Sequence, residues 1–286
     1  MADKVYNLFD MCVPDVQEWL KRTDLILVPV GSLEQHGPHC PLGTDSITAW
    51  EIAQRIAKKA DVPHTPLIWM GYSPHHMRPP GQGAGTITLR GDTYRRLLYD
   101  VARSLIHHGF NKIVFVAGHG SLIKVVDDLL RAIRYETGAL AVWYMAYAER
   151  NVALVKDICE TLEGNPGWHA GEIEASQDMA YKDGVVHMER AKKPSVHGPR
   201  WRPETFHKHD GAPSITFGGY DGYIWMPLEH HEYSDDGTVG DPFKASKEKG
   251  ERLFERFSDY GARMVNELKK VKVEVKNREF SNRAWI

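Results

Sequence analysis

Cysteine is scarce in this chain of 286 residues, and the few that occur form no pattern. Cys12, Cys40 and Cys159 are odd in number and lie far apart. A secreted scaffold held by disulfides uses paired cysteines, so this usage argues against such a scaffold and indicates a reducing, cytoplasmic location. Cys40 lies in a polar loop, where we expect it to pack as a small side chain rather than act as a soft metal ligand.

Long apolar runs are absent as well. Charged residues interrupt every apolar run near the amino terminus, so this part of the chain does not form a signal peptide. No stretch elsewhere approaches the roughly 18 apolar residues that a membrane span needs. We therefore expect neither a leader sequence nor a membrane partner.

Neither sign of charge is in excess. The chain has 36 Lys and Arg against 38 Asp and Glu, for a formal net charge of −2. Proteins that bind nucleic acid or anionic membranes usually carry a positive excess, so neither partner is expected. The apolar share of 42% and the charged share of 26% are ordinary for a globular protein. Since the sequence has no repeats, we predict one domain over 1–286, with its core at about 20–270.

What the sequence does contain is an alternation of apolar runs and helical periodicity. Buried strands are predicted at 25–30, 66–70, 113–117 and 139–147. Helices are predicted at 44–59, 92–108, 122–135 and 244–269. Strands that alternate with helices predict an α/β fold, with a mostly parallel central sheet flanked by helices on both faces.

Two segments have less regular patterns. Residues 182–244 are rich in aromatic residues, histidine, glycine and proline, and we expect them to form a lid or a subunit contact. Turns between short strands are predicted here at 210–211, 217–220 and 221–223. Five side chains here are expected to pack at the surface or an interface rather than in a site: Trp201, His207, His209, His230 and His231. Residues 271–286 are expected to form a strand-like or loose tail.

The loop after the first strand carries the densest set of chemically active side chains. Glu34, His36, His39 and Asp45 lie within twelve residues, among glycines and prolines that break regular structure. Carboxylates with neutral imidazoles suit zinc, manganese or iron. Because a carboxylate has two oxygens, Asp45 is able to bridge two ions, and such a pair activates water for hydrolysis. The alternative is that these side chains are simply solvated or hydrogen-bonded.

Histidines after two other strands favour the metal interpretation. A pair of histidines ending at His76 follows the second predicted strand, and His119 follows the third, between two glycines. In parallel sheets, ligands bind beyond the carboxyl ends of the strands. We therefore predict that Glu34, Asp45 and His119 hold one ion. His36 and Asp45 are predicted to help hold a second.

Four stretches resemble the creatininase (creatinine amidohydrolase) family. They are GSLEQHGPHCPLGTD at 31–45, VFVAGHGS at 114–121, GWHAGEIEAS at 167–176 and VGDPFKASKEKGE at 239–251. The resemblance runs from about residue 25 to residue 269. It implies a creatininase-like fold and a hydrolase with two divalent ions per subunit. It also implies a small polar, often cyclic substrate and a homo-oligomeric ring, for which we expect a hexamer.

The third stretch supplies further site residues by resemblance. In the family, a Trp and a His from this region line the substrate site and a Glu follows the His by five positions, which corresponds to Trp168, His169 and Glu174. Trp168 offers an apolar wall for a flat ring, and His169 offers general acid–base catalysis. Glu174 is placed both in proton transfer and among the metal ligands. Glu172 and Glu174 face different directions on a helix, so one of them enters the site, and the family spacing favours Glu174.

One departure from the family pattern concerns the second ion. In creatininases, a metal-binding Glu stands two positions after the second-motif His and follows a Tyr near the substrate; here Ser121 and Gly120 stand there. The second ion would take a carboxylate from Glu174 or Glu172, or would be weaker or absent. We therefore expect a family member other than creatininase itself, with His76 and Ser121 among its substrate-binding residues.

The activity we expect is the opening of a cyclic amide by activated water. Hydrolysis of a carbon–carbon bond in an oxidised cyclitol (keto-inositol) ring is the alternative. Two non-catalytic alternatives are also open. One is a metal-binding protein that has kept the fold and lost catalysis, and the other is a protein whose ions only hold its loops together.

Overall fold

Three buried strands form the centre of the structure, a computed structural model that describes residues 4–145, 152–161, 169–207 and 214–281. They are β1 (Leu25–Val30), β2 (Lys112–Ala117) and β3 (Leu140–Met145). The strands are parallel and lie in the order β1-β2-β3, with Leu25 opposite Lys112 and Lys112 opposite Leu140. Every residue of β1 and β2 is buried, because helices cover both faces of the sheet.

The helices divide between these two faces. In chain order they are α1 (Val13–Arg22), α2 (Thr44–Ala60), α3 (Gly91–His108), α4 (Asp127–Thr137), α5 (Val152–Val155), α6 (Glu172–Tyr181) and α7 (Lys247–Lys270). Leu25 and Leu27 pack on one face with α2 and α7, whereas Ile26 and Val28 pack on the other with α3 and α4. Within the described ranges, no helix combines the length with the hydropathy that a membrane crossing requires.

The helix predictions hold for three of four segments. The helices predicted at 44–59, 92–108 and 244–269 are confirmed as α2, α3 and α7, with ends that shift by a few residues. The segment predicted at 122–135 begins instead as a 3₁₀ helix, Gly120–Val125, and becomes α4 only at Asp127. Its β-branched residues weaken the preference for an α-helix at that point.

The strand predicted at 66–70 is wrong. The pairing there consists of isolated bridges to β1, through His64 and Ile68. Pro63 and Pro66 lack the backbone N–H that a continuous ladder needs. Ile68 still exchanges backbone hydrogen bonds with the end of β1 and the residue after it. The segment therefore lies along the edge of β1 and leads toward the loop that follows this strand.

A small antiparallel sheet lies in the aromatic segment. It consists of β4 (Phe206–His207), β5 (Ser214–Phe217) and β6 (Tyr220–Trp225). Gly218 and Gly219, both with positive φ, form the predicted turn between β5 and β6. The turn predicted at 221–223 is wrong, because those residues continue β6. The turn predicted at 210–211 and the side chain of His209 lie outside the described residues.

The carboxyl-terminal segment is held against the body of the protein. The Lys276 backbone N–H donates to the Thr137 carbonyl at 2.8 Å. The Arg103 guanidinium donates to the carbonyls of Asn277 and Glu279, at 3.1 and 2.6 Å. Residues 271–281 thus pack on α3 and the end of α4 without helix or strand, which corrects the expectation of a strand-like or loose tail.

Candidate metal centre

The loop after β1 buries its acidic and imidazole side chains. Glu34 and His36 are fully buried, and Asp45 is 2% exposed. Gly37 has a φ of +63°, which lets the chain reverse directly after His36. Asp45 lies in the first turn of α2, where a carboxylate interacts favourably with the helix dipole. The loop thus turns these side chains back toward the carboxyl end of β1.

His119 reaches the same place from the end of β2. Gly118 packs so closely on α2 that a β-carbon there would lie 1.9 Å from the Asp45 carbonyl oxygen. His119 Nδ1 lies 3.3 Å from Glu34 Oε1 and 3.3 Å from Asp45 Oδ2. Glu34, Asp45 and His119 therefore form one group of donor atoms, all within 4.8 Å of one another.

A second group of donor atoms shares Asp45. His36 Nε2 lies 3.6 Å from Asp45 Oδ1 and 3.6 Å from Glu174 Oε2. Glu174 is buried in the first turn of α6, which packs against α2. Asp45 thus presents Oδ2 to the first group and Oδ1 to the second, which is the arrangement of a carboxylate that bridges two ions.

Glu172 and Glu174, the two glutamates that were candidates for the site, lie in different surroundings. Glu174 belongs to the second donor group, whereas Glu172 points away from it. Glu172 accepts hydrogen bonds from the backbone N–H groups of Glu160 and Thr161 and pairs with Lys249. Glu172 therefore anchors the chain before α6, and Glu174 supplies the carboxylate of the second group.

Three donor atoms of the two groups are buried without a hydrogen bond, namely Glu34 Oε1, His36 Nε2 and Asp45 Oδ2. The second ring nitrogen of His119, Nε2, is unsatisfied as well. An unsatisfied buried polar atom costs about 1–3 kcal/mol, and a charged one costs more. Cations satisfy such atoms, and carboxylate oxygens with imidazole nitrogens are donors that zinc, manganese and iron accept. The residues therefore fit two divalent ions that share Asp45.

Mutual electrostatic effects shift the pKa values of these side chains. Burial and the negative charge of Asp45 raise the pKa of Glu34 to about 8. Burial acts to lower the pKa of His119, but Glu34 and Asp45 outweigh it and raise the value to about 9. Burial acts to raise the pKa of Asp45, but His119 and His36 hold it well below its usual value. Protons on the imidazoles thus offset the negative charge of the buried carboxylates.

Two of the predicted site histidines lie directly beside the first donor group. His169 Nδ1 is 4.0 Å from Glu34 Oε1, and the His169 ring stacks on His36 with centroids 4.1 Å apart. His76 Nε2 is 3.1 Å from Glu34 Oε1. Both side chains are buried. They form a layer of imidazoles between the carboxylates and the nearby pocket.

The other two predicted substrate-binding residues are Ser121 and Trp168. The Ser121 hydroxyl lies 3.1 Å from Nε2 of His75, whose ring packs on His76, so Ser121 borders the histidine layer rather than the carboxylates. Trp168 lies outside the described residues.

A shallow pocket lies beside the histidine layer, with almost no interior space for a water-sized sphere. Its lining is mostly polar and consists of Gln35, His76, Met77, Arg78, His230, His231, Ser234 and Gly237. His230 was expected at the surface or an interface, and that prediction is wrong, because the side chain is 4% exposed and its ring lies 4.5 Å from those of His76 and His169. Sequence reasoning missed His230 because it follows no predicted strand and lies 195 positions from Gln35, which it contacts.

Asp178 is a second residue that sequence reasoning missed. It lies one turn after Glu174 on α6, and its Oδ2 accepts a hydrogen bond from the Thr44 hydroxyl at 2.7 Å. Burial raises the pKa of Asp178 to about 8. Asp178 therefore ties α6 to the start of α2. The signal that could have found it is the spacing of four residues from Glu174, which places both on one helix face.

One protein-family model and several characterised proteins are similar to this chain. The family model described as Creatininase: Creatinine amidohydrolase matches residues 10–265. The 3-dehydro-scyllo-inosose hydrolase of Thermotoga maritima is 28% identical over 272 residues, covering 90% of this chain and 82% of that protein. The creatinine amidohydrolase of Pseudomonas putida is 26% identical over 81% of this chain and 84% of its own. The mycofactocin precursor peptide peptidase of Mycolicibacterium smegmatis is 34% identical over 85% of this chain and 81% of its own.

Solved structures share the fold. A crystal structure of creatinine amidohydrolase superposes with a TM-score of 0.71 at 24% identity, covering 94% of this chain and 100% of that one. A manganese form of creatininase gives a TM-score of 0.71, and a zinc–zinc form of a creatininase mutant gives 0.69, both at 24% identity and with the same coverage. The predicted α/β fold, with a parallel sheet and helices on both faces, is confirmed.

Proposed function

The chain belongs to the creatininase family, and from that premise we propose that it is a divalent-metal-dependent hydrolase that adds water to a carbonyl carbon of a small polar substrate. The relatives are named as hydrolases of three kinds, an amidohydrolase, an inosose hydrolase and a peptidase. The observation that carries the proposal is the pair of donor groups that share Asp45 and leave buried donor atoms unsatisfied.

The proposed metal ligands are the two donor groups. Glu34, Asp45 and His119 are assigned to one ion. His36, Asp45 and Glu174 are assigned to the other. The manganese and zinc forms among the solved creatininase structures support these metals, and the same donors suit iron. Divalent ions held in this way supply Lewis acidity, which lowers the pKa of water and stabilises negative charge on oxygen.

His169 is assigned to proton transfer. Its Nε2 donates to the Gln35 carbonyl at 2.7 Å, which leaves Nδ1 as an acceptor on the side of Glu34. Burial and the neighbouring His36 lower the pKa of His169 well below its usual value, so the ring is neutral near pH 7. A neutral ring with a bare Nδ1 takes a proton from the attacking water and returns it to the leaving atom.

Glu174 is assigned a second role in this proton transfer. Burial raises the pKa of Glu174 above its usual value, so its carboxyl group holds a proton more readily than an exposed glutamate does. Its Oε2 accepts a hydrogen bond from the Ala170 backbone N–H at 2.6 Å, which fixes the carboxyl group beside the segment that carries His169. Glu174 is thus placed to relay a proton as well as to ligate the second ion.

Cyclic amide hydrolysis is the first candidate reaction. The named activities of the Pseudomonas putida and Mycolicibacterium smegmatis relatives both break carbon–nitrogen bonds of amides. The polar pocket lining, with imidazole, amide and guanidinium groups, suits a small polar ring.

Ring opening of a keto-cyclitol is the second candidate. It is favoured by the Thermotoga maritima relative, which matches 90% of this chain. The polar groups that line the pocket also suit a ring with several hydroxyls. Both reactions begin with water addition to a carbonyl carbon, so they require the same groups of the chain and differ in the bond that breaks.

A substrate screen on the metal-reconstituted protein tests the proposal. The protein is stripped with a chelator, reloaded with manganese or zinc, and assayed with cyclic amides, formamides, short peptides and keto-cyclitols. We expect turnover of one class that requires metal and that His169→Asn abolishes without loss of metal. His187→Asn, which changes a half-buried histidine outside the site, is the matched control and keeps the full rate. A full rate in protein verified to be free of metal would overturn the proposal.

The two non-catalytic alternatives predict a different result in the same experiment. Two bound ions with no turnover of any class would favour a binding protein or a structural metal site. The bare Nδ1 of His169 beside Glu34 supports catalysis instead, because a purely structural site is closed by its own ligands.

We also propose that the protein is a cytoplasmic homo-oligomer, with a hexamer expected by analogy. Three exposed aromatic side chains of the segment 182–244 support a subunit contact: Trp201, Tyr220 and Trp225 are 54%, 81% and 65% exposed. The three cysteines are free, which is consistent with a reducing compartment. Light scattering of the purified protein measures its oligomeric state, and a monomer would contradict the proposed homo-oligomer.

A further inference from the structure

The side-chain amide of Gln35 has one orientation that fits its neighbours. The Gly37 backbone N–H donates to Gln35 Oε1 at 3.1 Å, and because a backbone N–H only donates, that atom is the oxygen. A β-carbon on Gly237 would lie 1.8 Å from the same oxygen, so Oε1 is closely packed on this side too. The amide nitrogen therefore faces the histidine layer.

Three buried imidazoles surround that nitrogen. Nδ1 of His76 lies 3.1 Å from it, Nδ1 of His230 lies 3.0 Å from it, and Nε2 of His169 lies 3.3 Å from it. All three rings are buried, at 4%, 7% and 4% exposed for His76, His169 and His230, and burial disfavours the charged form of an imidazole. A neutral imidazole has one protonated nitrogen, which donates, and one bare nitrogen, which accepts.

The geometry decides where the protons lie. His169 Nε2 is 2.7 Å from the Gln35 backbone carbonyl, which only accepts, so this nitrogen carries the proton of its ring. It cannot also accept a proton from the amide. The two protons of the amide then go to Nδ1 of His76 and Nδ1 of His230, which must both be bare. Both of those rings therefore carry their proton on Nε2.

We propose that Gln35 is a positioning residue that sets the tautomers of His76, His169 and His230, and that His230 is thereby a substrate-binding residue. His230 lines the pocket, and its Nδ1 is taken by Gln35, so the polar group it offers there is an Nε2–H donor. The ligand that this donor selects has an oxygen acceptor, a carbonyl or a hydroxyl, at that position. The substrate role rests on the proposed function, whereas the tautomers do not depend on it.

The same arrangement excludes a metal ion from the three imidazoles. His76, His169 and His230 are close enough to hold an ion, but their ring nitrogens face the NH₂ group of Gln35. An ion there would have to displace that group, and the protonated Nε2 of His169 cannot act as a ligand. This cluster therefore holds no ion, and its imidazoles are left to bind the substrate.

The tautomers are measured by NMR of the zinc-loaded protein labelled with ¹⁵N at histidine, because protonated and bare ring nitrogens have different ¹⁵N shifts. Single His→Asn substitutions assign the resonances. We expect Nε2 to be protonated and Nδ1 bare in His76, His169 and His230. A proton on Nδ1 of His76 or His230 in the wild-type protein overturns the proposal, and this test requires no variant of Gln35 to fold.

Gln35→Glu inverts the hydrogen bonding and tests the role of the amide itself. A carboxylate only accepts, so Nδ1 of His76 and Nδ1 of His230 are both expected to carry a proton, while His169 keeps its proton on Nε2. His231→Asn, which changes an exposed residue of the same pocket, is the control and leaves all three tautomers unchanged. Unchanged tautomers in a folded Gln35→Glu protein would refute the positioning role.

Kinetics of His230→Asn test the substrate role separately. With the substrate found in the screen, KM is expected to rise about tenfold, the loss expected for one hydrogen bond, while kcat and zinc content stay near the wild-type values. An unchanged KM refutes the substrate role even if the tautomers are as proposed. If no substrate is found, the proposed function fails, and the NMR result still decides the tautomers on its own.

Discussion

Asp45 connects the two halves of the proposed metal centre through its two oxygens. Oδ2 faces His119 and Oδ1 faces His36, so the two groups depend on one side chain. Glu174 contributes to the second group alone. Substitutions at these two positions therefore have different expected effects on metal content.

Metal stoichiometry distinguishes the two effects. Asp45→Asn is expected to lower the affinity for both ions by more than the roughly 10–100-fold that loss of an outer partner costs. Glu174→Gln is expected to lose one ion and keep the other. Ser121→Ala, which alters the contact with His75 instead, is the control and keeps both. Elemental analysis after dialysis measures the content, and an Asp45→Asn protein with two ions would show that this residue is not the bridge.

Asp178 is expected to make the stability of the metal-free protein depend on pH. An unfolded aspartate ionises near pH 3.9, whereas Asp178 in the folded protein keeps its proton up to a pKa of about 8. The folded state therefore holds more protons between these values. The stabilisation that protonated Asp178 gives the folded state is fully present below about pH 4 and is lost as the pH rises toward 8.

Urea unfolding between pH 5 and pH 8 checks this expectation. Asp178→Asn has no proton to lose, so its free energy of unfolding should fall less over this range than that of the wild type, by on the order of 1–3 kcal/mol. Asp92→Asn, an exposed aspartate, is the matched control and keeps the wild-type dependence. Equal pH dependence in wild type and Asp178→Asn would contradict the buried, protonated state.

At the scale of residues, the sequence predicted the carboxylates and missed the amide. Glu34 and Asp45 stand out because acids and histidines at close spacing have a recognised chemistry, and the structure brings them together. Gln35 carries no such signal, although it lies between two candidate ligands. Its role depends on His230, which comes from a distant loop, and no local pattern reports such a contact.

The junction of β2 with α2 is the element contact on which the site depends. Gly118 directly follows the strand and Asp45 lies in the first turn of the helix, with no room between them for a side chain. This approach sets the distance between His119 and Asp45. The site is therefore sensitive to packing at the strand end as well as to its ligands.

Gly118→Ala tests this dependence. A β-carbon would lie 1.9 Å from the Asp45 carbonyl, so the helix and the strand must move apart. We expect a loss of about 1–3 kcal/mol in the free energy of unfolding, as for other overpacked sites, together with weaker metal binding. Urea unfolding and metal titration measure the two effects.

Gly43→Ala is the matched control for that substitution. Gly43 lies two residues before Asp45 and has no atom within 4 Å of the position of a new β-carbon. We expect stability and metal affinity close to the wild-type values. If Gly118→Ala behaves like Gly43→Ala, the close contact does not set the geometry of the site.

At the scale of elements, strong periodicity was sufficient to predict a helix or strand, whereas an isolated apolar run was not. The amphipathic helices α2, α3 and α7 and the continuous strands β1 and β2 follow from side-chain patterns. The run at 66–70 has the composition of a strand, but its flanking prolines limit it to isolated bridges. The segment after His119 has the periodicity of an α-helix, but its β-branched residues weaken the α-helical preference and it begins as a 3₁₀ helix.

Across the whole molecule, metal uptake is expected to be linked to proton release. The pKa values of His119 and Glu34 are raised to about 9 and about 8, so both hold protons near pH 7 when no cation is bound. Metal ions compete with these protons, and lower pH therefore favours the metal-free state. Affinity should rise with pH from 6 to about 9.

Calorimetry in buffers with different ionisation enthalpies measures this linkage. We expect net proton release on binding of zinc at pH 7 and a smaller release at pH 9. Binding without proton release, with an affinity that does not change between pH 6 and pH 9, would show that the side chains are already deprotonated in the metal-free protein.

The parallel sheet explains why residues far apart in the chain meet at one edge. β1 and β2 point the same way, so the loops that leave them begin side by side. That consequence of topology could be predicted from the alternation of strands and helices. The position of α6, which brings Glu174 to His36, could not, because it depends on packing against α2 and α7 rather than on any pattern within α6.

Anomalous X-ray diffraction from crystals of the zinc- or manganese-loaded protein tests the central claim most directly. The account predicts two anomalous peaks, one beside Glu34 and His119 and one beside His36 and Glu174, with the Asp45 carboxylate between them. A peak among His76, His169 and His230, or a pair of peaks remote from Asp45, would contradict it.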